Sequence, residues 1–160
     1  MNKKAKILVV DDEENIRDSL NEILIDEGYE VLLAEDANVA RKIKNDKNID
    51  LILLDIWMPD CDGITLLKEW VKNHQLNCPV IMMSGHGTID TAIEATKIGA
   101  FDFLEKPISL QKLLKTVGAG LKRIVDVKRL TPEFIEKSQH NIVRDLKQRI
   151  KNLKKDGKKN

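Results

Sequence analysis

Five side chains carry most of the chemistry open to this sequence: Asp11, Asp12, Asp55, Ser84 and Lys106. Three carboxylates gathered in one place raise one another's pKa by like-charge repulsion, so a site that keeps them ionised needs cations. A divalent metal supplies two positive charges and Lys106 a third. Hard oxygen ligands with positions left open to water suit Mg²⁺, with Mn²⁺ as the alternative. With that charge in place, one carboxylate can attack a phosphoryl group and become an aspartyl phosphate. The negative charge on the phosphoryl oxygens is then met by metal, ammonium, hydroxyl and backbone N–H groups. Gly85, next to Ser84, has no side chain to obstruct those oxygens.

The elements that must bring these residues together are visible as alternating patterns. Ile7 to Val10 reads as a buried strand ending at Asp11-Asp12, and residues 14–27 repeat apolar positions at helical spacing until Gly28. A second strand is expected over Tyr29 to Leu33 and a second helix over Ala37 to Asn45. Leu51 to Leu54 is a third strand, leading through Asp55 to the turn-rich Pro59-Asp60-Cys61-Asp62-Gly63. Ile64, Leu67, Trp70 and Val71 mark a third helix. Pro79 opens the strand Val80 to Met83, which ends at Ser84, and Ile89 to Ile98 is a fourth helix. Phe101 to Leu104 is the fifth strand, and Ser109 caps a fifth helix running to about Val127. Strands that are apolar on both faces and alternate with helices imply an α/β fold, a doubly wound parallel sheet covered on both sides. In such a sheet ligands bind outside the carboxyl ends of the strands, where all five residues fall.

The expected domain is residues 1–127, followed by a basic helical tail or truncated linker, 128–160. Composition agrees with that division. The net charge of +1 conceals a tail with 11 Lys/Arg against 4 Asp/Glu, or +7, which leaves −6 for residues 1–127. No apolar run is long enough to span a bilayer, and the start is too short in apolar residues for a signal peptide. The expectation is a cytoplasmic chain with no membrane contact. Cys61 and Cys78 have neither CxxC spacing nor a neighbouring His at ligand spacing, which fits reduced thiols.

The strand-end pattern Val9-Val10-Asp11-Asp12-Glu13, the block Leu54-Asp55-Ile56-Trp57-Met58-Pro59 with Asp62-Gly63, and Lys106-Pro107 resemble the receiver domains of two-component response regulators. The stretches Ser84-Gly85-His86-Gly87-Thr88-Ile89 and Gly99 to Pro107 are similar to the nitrogen-regulation branch, its NtrX-like members above all. The resemblance covers roughly residues 5–125 and implies a flavodoxin-like strand order 2-1-3-4-5. It implies that Asp55 is the phosphoacceptor, supplied from the phosphohistidine of a sensor histidine kinase. Asp12, Asp55 and the backbone carbonyl of Trp57 would hold the metal, with Asp11 acting through water. Ser84 would hydrogen-bond the phosphoryl group, Lys106 would pair with it, Phe103 would be the switch aromatic and Lys106-Pro107 a cis peptide. Trp57 and His86 occupy the two variable positions beside the acyl phosphate. The chain would be a signalling switch, not an enzyme, except in catalysing its own phosphorylation and dephosphorylation.

Plainer readings compete for single residues. A strand-ending aspartate is commonly a turn former, Ser84 can cap the next helix, and Phe103 can be core. His140, in one tail helix, has no bundle from which to act as a phosphotransfer histidine. Thr131-Pro132-Glu133 starts that helix, and Ile135, Ile142, Val143, Leu146, Ile150 and Leu153 give it an apolar stripe. The stripe is expected to be buried against a second copy, a homodimer made by the tail and the face of the fourth helix, fifth strand and fifth helix. Folding back onto its own receiver is the alternative. Nucleic-acid binding through the basic tail is a competing function, and no helix-turn-helix or stacking pattern supports it. DNA enters otherwise only through an output domain not in this sequence, which contains no GxxxxGK[ST]. A phosphatase of the haloacid-dehalogenase type wants a second Asp two residues after the nucleophile, where Trp57 stands.

Overall fold

The computed structural model describes residues 4–85 and 89–128. Among the described residues five strands and five helices alternate: β1 (Lys6–Val10), α1 (Glu14–Asp26), β2 (Glu30–Ala34), α2 (Ala37–Asp46), β3 (Leu51–Asp55), α3 (Gly63–Lys72), β4 (Val80–Ser84), α4 (Ile89–Ile98), β5 (Asp102–Glu105) and α5 (Leu110–Lys128). All strand pairs are parallel, in the order β2-β1-β3-β4-β5. This is the doubly wound parallel sheet expected from the alternation, in the flavodoxin-like order that the resemblance implies.

The period of two along each strand sorts the core into two layers. Leu8, Val10, Ile52, Leu54, Val80 and Met82 face α2, α3 and α4, where Ala37, Ala40, Leu66, Leu67, Trp70 and Ala95 meet them. Ile7, Val9, Leu51, Leu53, Ile81 and Met83 face Leu20 and Leu24 of α1 and Leu113 and Val117 of α5. Burial of each such Leu, Ile or Val contributes about 1.5–3 kcal/mol. Met82 and Met83 are thus core residues on opposite faces.

The expectation that every strand is apolar on both faces fails at the sheet edges. β5 exposes Asp102 and Glu105, and β2 is only partly buried along most of its length. An edge strand has one flank without a neighbour, so its faces are covered less completely. Two strands also start one residue later than expected. β2 begins at Glu30 because the Tyr29 N–H closes the end of α1 on the Leu24 carbonyl at 3.1 Å, beside Gly28 at φ +92°. β5 begins at Asp102, opposite Ile81, so Phe101 precedes the strand. Residues Met1–Ile124 form one unit. Apart from Lys128, the tail expected over 128–160, with His140 and the stripe, lies outside the described residues, as does His86.

Two glycines in α5 meet different surroundings. A Cβ on Gly118 would touch nothing within 4 Å, whereas one on Gly120 would stand 2.9 Å from Leu51 Cδ1 and 3.5 Å from Pro79 Cγ. Gly118→Ala should raise stability by about 0.5–1 kcal/mol through helix propensity alone. Gly120→Ala should lose that gain to overpacking and fall below wild type by about 1 kcal/mol. Urea denaturation of the two variants checks this, and equal gains in both would contradict the close approach of α5 to the sheet.

Candidate functional site

The parallel register brings the carboxyl ends of β1, β3 and β4 to one crevice, with Val10 opposite Leu54, and Asp55 opposite Met83. The order reverses between β1 and β3, which makes this the place where a doubly wound sheet opens for a ligand. Asp11 follows β1 and is fully buried. Its N–H donates to the Ala34 carbonyl at 3.1 Å, its Oδ1 accepts from the Glu13 N–H at 2.9 Å, and its carbonyl accepts from Arg17 Nη1 at 2.8 Å. Asp12 beside it is exposed. Asp55 closes β3 and is 2% exposed, and Ser84 closes β4 fully buried.

Lys106 arrives from the far side. Its N–H donates to the Ser84 carbonyl at 2.7 Å, and its peptide bond to Pro107 is cis. The ammonium stands 2.7 Å from Asp11 Oδ2, 3.4 Å from Asp55 Oδ1 and 3.8 Å from Glu13 Oε1. Burial works against its charge, but the hydrogen bond to Asp11 and the charges of Asp55, Asp11 and Glu13 outweigh it, and its pKa is raised. For Asp55 burial comes first and the Asp11 charge second; together they push its pKa up to about 7, against the pull of Lys106 and the Trp57 N–H. One ammonium does not compensate two buried carboxylates.

That deficit is what a cation would fill. Carboxylate oxygens of Asp11, Asp12 and Asp55 lie within 4.8 Å of one another. Asp11 Oδ2 faces the Lys106 ammonium at 2.7 Å and has no further partner among the described groups. An all-oxygen set, partly open to solvent through Asp12, suits a hard divalent cation such as Mg²⁺. A Cβ placed on Gly85 would meet only Lys106 Cδ, at 3.8 Å, which leaves space beside Ser84.

The structure therefore brings together Asp11, Asp12, Asp55 and Lys106, with Ser84 at the neighbouring strand end. Trp57, 58% exposed, stands at the rim, its backbone N–H turned to Asp55. Phe103 lies apart from this group, half-buried against the core layer that holds Ala95 of α4. Three features escape a reading of sequence. Arg17 lies six residues from Asp11 with a helix start between. Glu13 enters only as the last residue of the strand-end pattern, with no role of its own. Gly63 reads as a turn residue, yet a Cβ there would overlap the Asp55 carbonyl oxygen and stand 2.9 Å from its carbon. The Asp-Gly pair was the available signal for Gly63; nothing local marks Arg17.

Comparisons with known proteins agree with this geometry. A family model described as response regulator receiver domain matches residues 7–118. An NtrX-like response regulator of Rickettsia bellii is 42% identical over 132 residues, covering 81% of this chain and 27% of that protein. The nitrogen assimilation regulatory protein NtrX of Azorhizobium caulinodans is 36% identical over 149 residues, 88% of this chain and 33% of its own length. The crystal structure of the NtrX receiver domain from Brucella abortus superposes with a TM-score of 0.68 at 46% identity, covering 72% of this chain and 98% of that one. This chain thus spans roughly a quarter to a third of those two curated relatives.

The raised Asp55 pKa has a consequence for stability. An acid whose folded pKa lies above its unfolded value of about 3.9 stabilises the fold below that value and loses the contribution as pH rises through about 7. In metal-free buffer, Asp55→Asn should therefore match wild type near pH 4.5 and exceed it progressively up to pH 8. The linkage ceiling is about 4 kcal/mol, and about 2 kcal/mol is expected because Lys106 also loses a partner. Thermal unfolding against pH tests it; a difference that does not grow with pH would mean that Asp55 is not strained.

Proposed function

Because this chain belongs to the response regulator receiver domain family, we propose that it is a phosphorylation switch in which Asp55 accepts a phosphoryl group from the phosphohistidine of a sensor histidine kinase. The observation that carries this reading is the buried pair Asp11 and Asp55 sharing the single ammonium of Lys106. An Asp55 carboxylate oxygen attacks phosphorus, the P–N bond to the donor imidazole breaks, and the imidazole takes a proton from solvent. Lys106 pairs with the phosphoryl oxygens and the Ser84 hydroxyl hydrogen-bonds to them. Receiver domains bind Mg²⁺ at an acidic pocket, and here Asp12, Asp55 and the Trp57 carbonyl would hold it, with Asp11 acting through water. The bound ion, Mg²⁺ or Mn²⁺, would supply positive charge for the developing charge on the phosphoryl oxygens. Dephosphorylation belongs to the same proposal: water attacks phosphorus, the P–O bond to Asp55 breaks, and inorganic phosphate leaves the regenerated carboxylate.

The output is protein–protein contact. Ser84 moving toward the phosphoryl group would let Phe103 turn inward and change the face of α4, β5 and α5, a shift between two packings. Ile93 and Leu110 leave large apolar side chains exposed on α4 and at the start of α5, which supports homodimer formation there. Relatives carry the names of transcriptional and nitrogen assimilation regulatory proteins, and control of transcription is the process proposed for the switch. Among the described residues no helix is long and apolar enough to cross a membrane. The two free cysteines, Cys61 and Cys78, fit action in the cytoplasm.

With acetyl phosphate and Mg²⁺, intact-mass spectrometry should show one added phosphoryl group on wild type and none on Asp55→Asn. Labelling of that variant to the same extent would refute the assignment, as would labelling that survives a chelator. Phe103→Ala should keep labelling within about twofold, since the side chain lies away from the carboxylates, while the phosphorylated form loses its dimer in sedimentation. A variant that dimerises on labelling as wild type does would remove Phe103 from the switch.

A further inference from the structure

We propose that Asp60 is a positioning residue for the phosphoacceptor: by capping α2 from the β3–α3 loop, it holds the Trp57–Met58 segment and the backbone around Asp55 in working geometry. This rests on the reading of Asp55 as phosphoacceptor. The loop leaves Asp55 and is fixed at both ends. Ile56 N–H donates to the Met83 carbonyl at 2.9 Å, Gly63 N–H returns to the Ile56 carbonyl at 2.7 Å, and Asp62 caps α3 through Thr65 N–H at 2.7 Å. Between those ends, the side-chain attachments run to α2. Asp60 Oδ2 accepts from Ala37 N–H at 3.1 Å, with Oδ1 at 3.4 Å, and Arg41 Nη2 reaches Cys61 Sγ at 3.8 Å. Arg41 is itself clamped to Glu69 of α3 by bonds of 2.7 and 3.0 Å.

Helix α2 already has its own cap, since Asp36 accepts from Val39 N–H at 2.9 Å. Asp60 satisfies a different N–H of the same first turn from 23 residues away, at a buried alanine. A carboxylate at a helix N-terminus makes a charge-assisted bond reinforced by the helix dipole. Its effect is to pin the loop to a rigid element. The same loop carries Trp57, whose N–H faces the Asp55 carboxylate, and Met58, which is seated in the core. Releasing Asp60 frees the segment that shapes one side of the reacting group.

Asp36 provides the control, because Asp36→Ala and Asp60→Ala each remove one cap from α2 but only the second untethers the loop. The readouts are the acetyl phosphate labelling rate by intact mass and the Mg²⁺ concentration for half-maximal change in tryptophan fluorescence, read in a Trp70→Phe background so that Trp57 is the single reporter. Asp60→Ala should slow labelling about fivefold or more and raise the half-maximal Mg²⁺ concentration several-fold, the scale of one lost hydrogen bond. Asp36→Ala should lower the thermal midpoint comparably and leave both readouts within about twofold. Asp60→Asn, which keeps an acceptor and loses the charge, should restore both. If Asp60→Ala fails to fold, Asp60→Ser, with a shorter acceptor, should show the same direction. Equal behaviour of the Asp36 and Asp60 variants, or an Asn variant as impaired as Ala, overturns the proposal while wild-type labelling at Asp55 leaves the phosphoacceptor reading standing. A wild type that takes no phosphoryl group overturns both.

Discussion

The crevice depends on one ammonium placed between two buried carboxylates. Asp11 and Asp55 sit at adjacent strand ends with almost no solvent to screen them, and Lys106 stands 2.7 Å from one and 3.4 Å from the other. Desolvating such charges costs several kcal/mol each, and a single cation does not repay it. The sheet bears that cost. β3 and β4 are buried along their whole length and β1 at every residue but its first, so the crevice is anchored in the three central, close-packed strands of the sheet. Preserved strain of this kind favours whatever brings positive charge to the site.

Holding the carboxylates still is a separate task from holding them together. Asp11 is fixed by the Glu13 N–H in the β1–α1 connection, by Arg17 of α1 and by the Ala34 carbonyl of β2. Asp55 is held from behind, because α3 starts at Gly63 in direct contact with the Asp55 carbonyl, a spacing that no larger residue permits. The first turn of α3 therefore serves the site as a backstop. The caps by Asp36 and Asp62 satisfy helix N–H groups at the site end of the molecule, where helices begin and strands finish.

Central strands were readable because burial on both faces leaves an uninterrupted apolar run, as in Leu51-Ile52-Leu53-Leu54 and Val80-Ile81-Met82-Met83. Edge strands were less so: Tyr29 looks like strand by composition but spends its N–H on the end of α1, a competition that propensity does not register. The site was readable to the extent that its residues end strands, since doubly wound topology gathers strand ends. What topology does not encode is which neighbours orient them. Arg17, Gly63 and Asp60 act through backbone atoms distant in sequence or hidden behind a helix start. Their residue types, an arginine in a helix, a glycine in a turn and an aspartate in a loop, have common local explanations.

Charge counting ties the geometry to switching. Asp11, Asp12 and Asp55 against Lys106 leave two negative charges uncompensated, the amount a divalent cation cancels. On the proposed reading, conversion of Asp55 to an acyl phosphate then adds about one negative charge and extends it outward from β3 toward β4 and β5. The groups able to answer are those already at these strand ends: Lys106, whose N–H is tied to the Ser84 carbonyl, and the Ser84 hydroxyl. β4 pairs Met82 with Phe103 of β5, two residues before Ser84, so the proposed displacement at Ser84 would have a short path to that half-buried ring. On the same reading, the close packing of the fully buried β3 and β4 would direct the response along that pair of strands instead of letting the core absorb it.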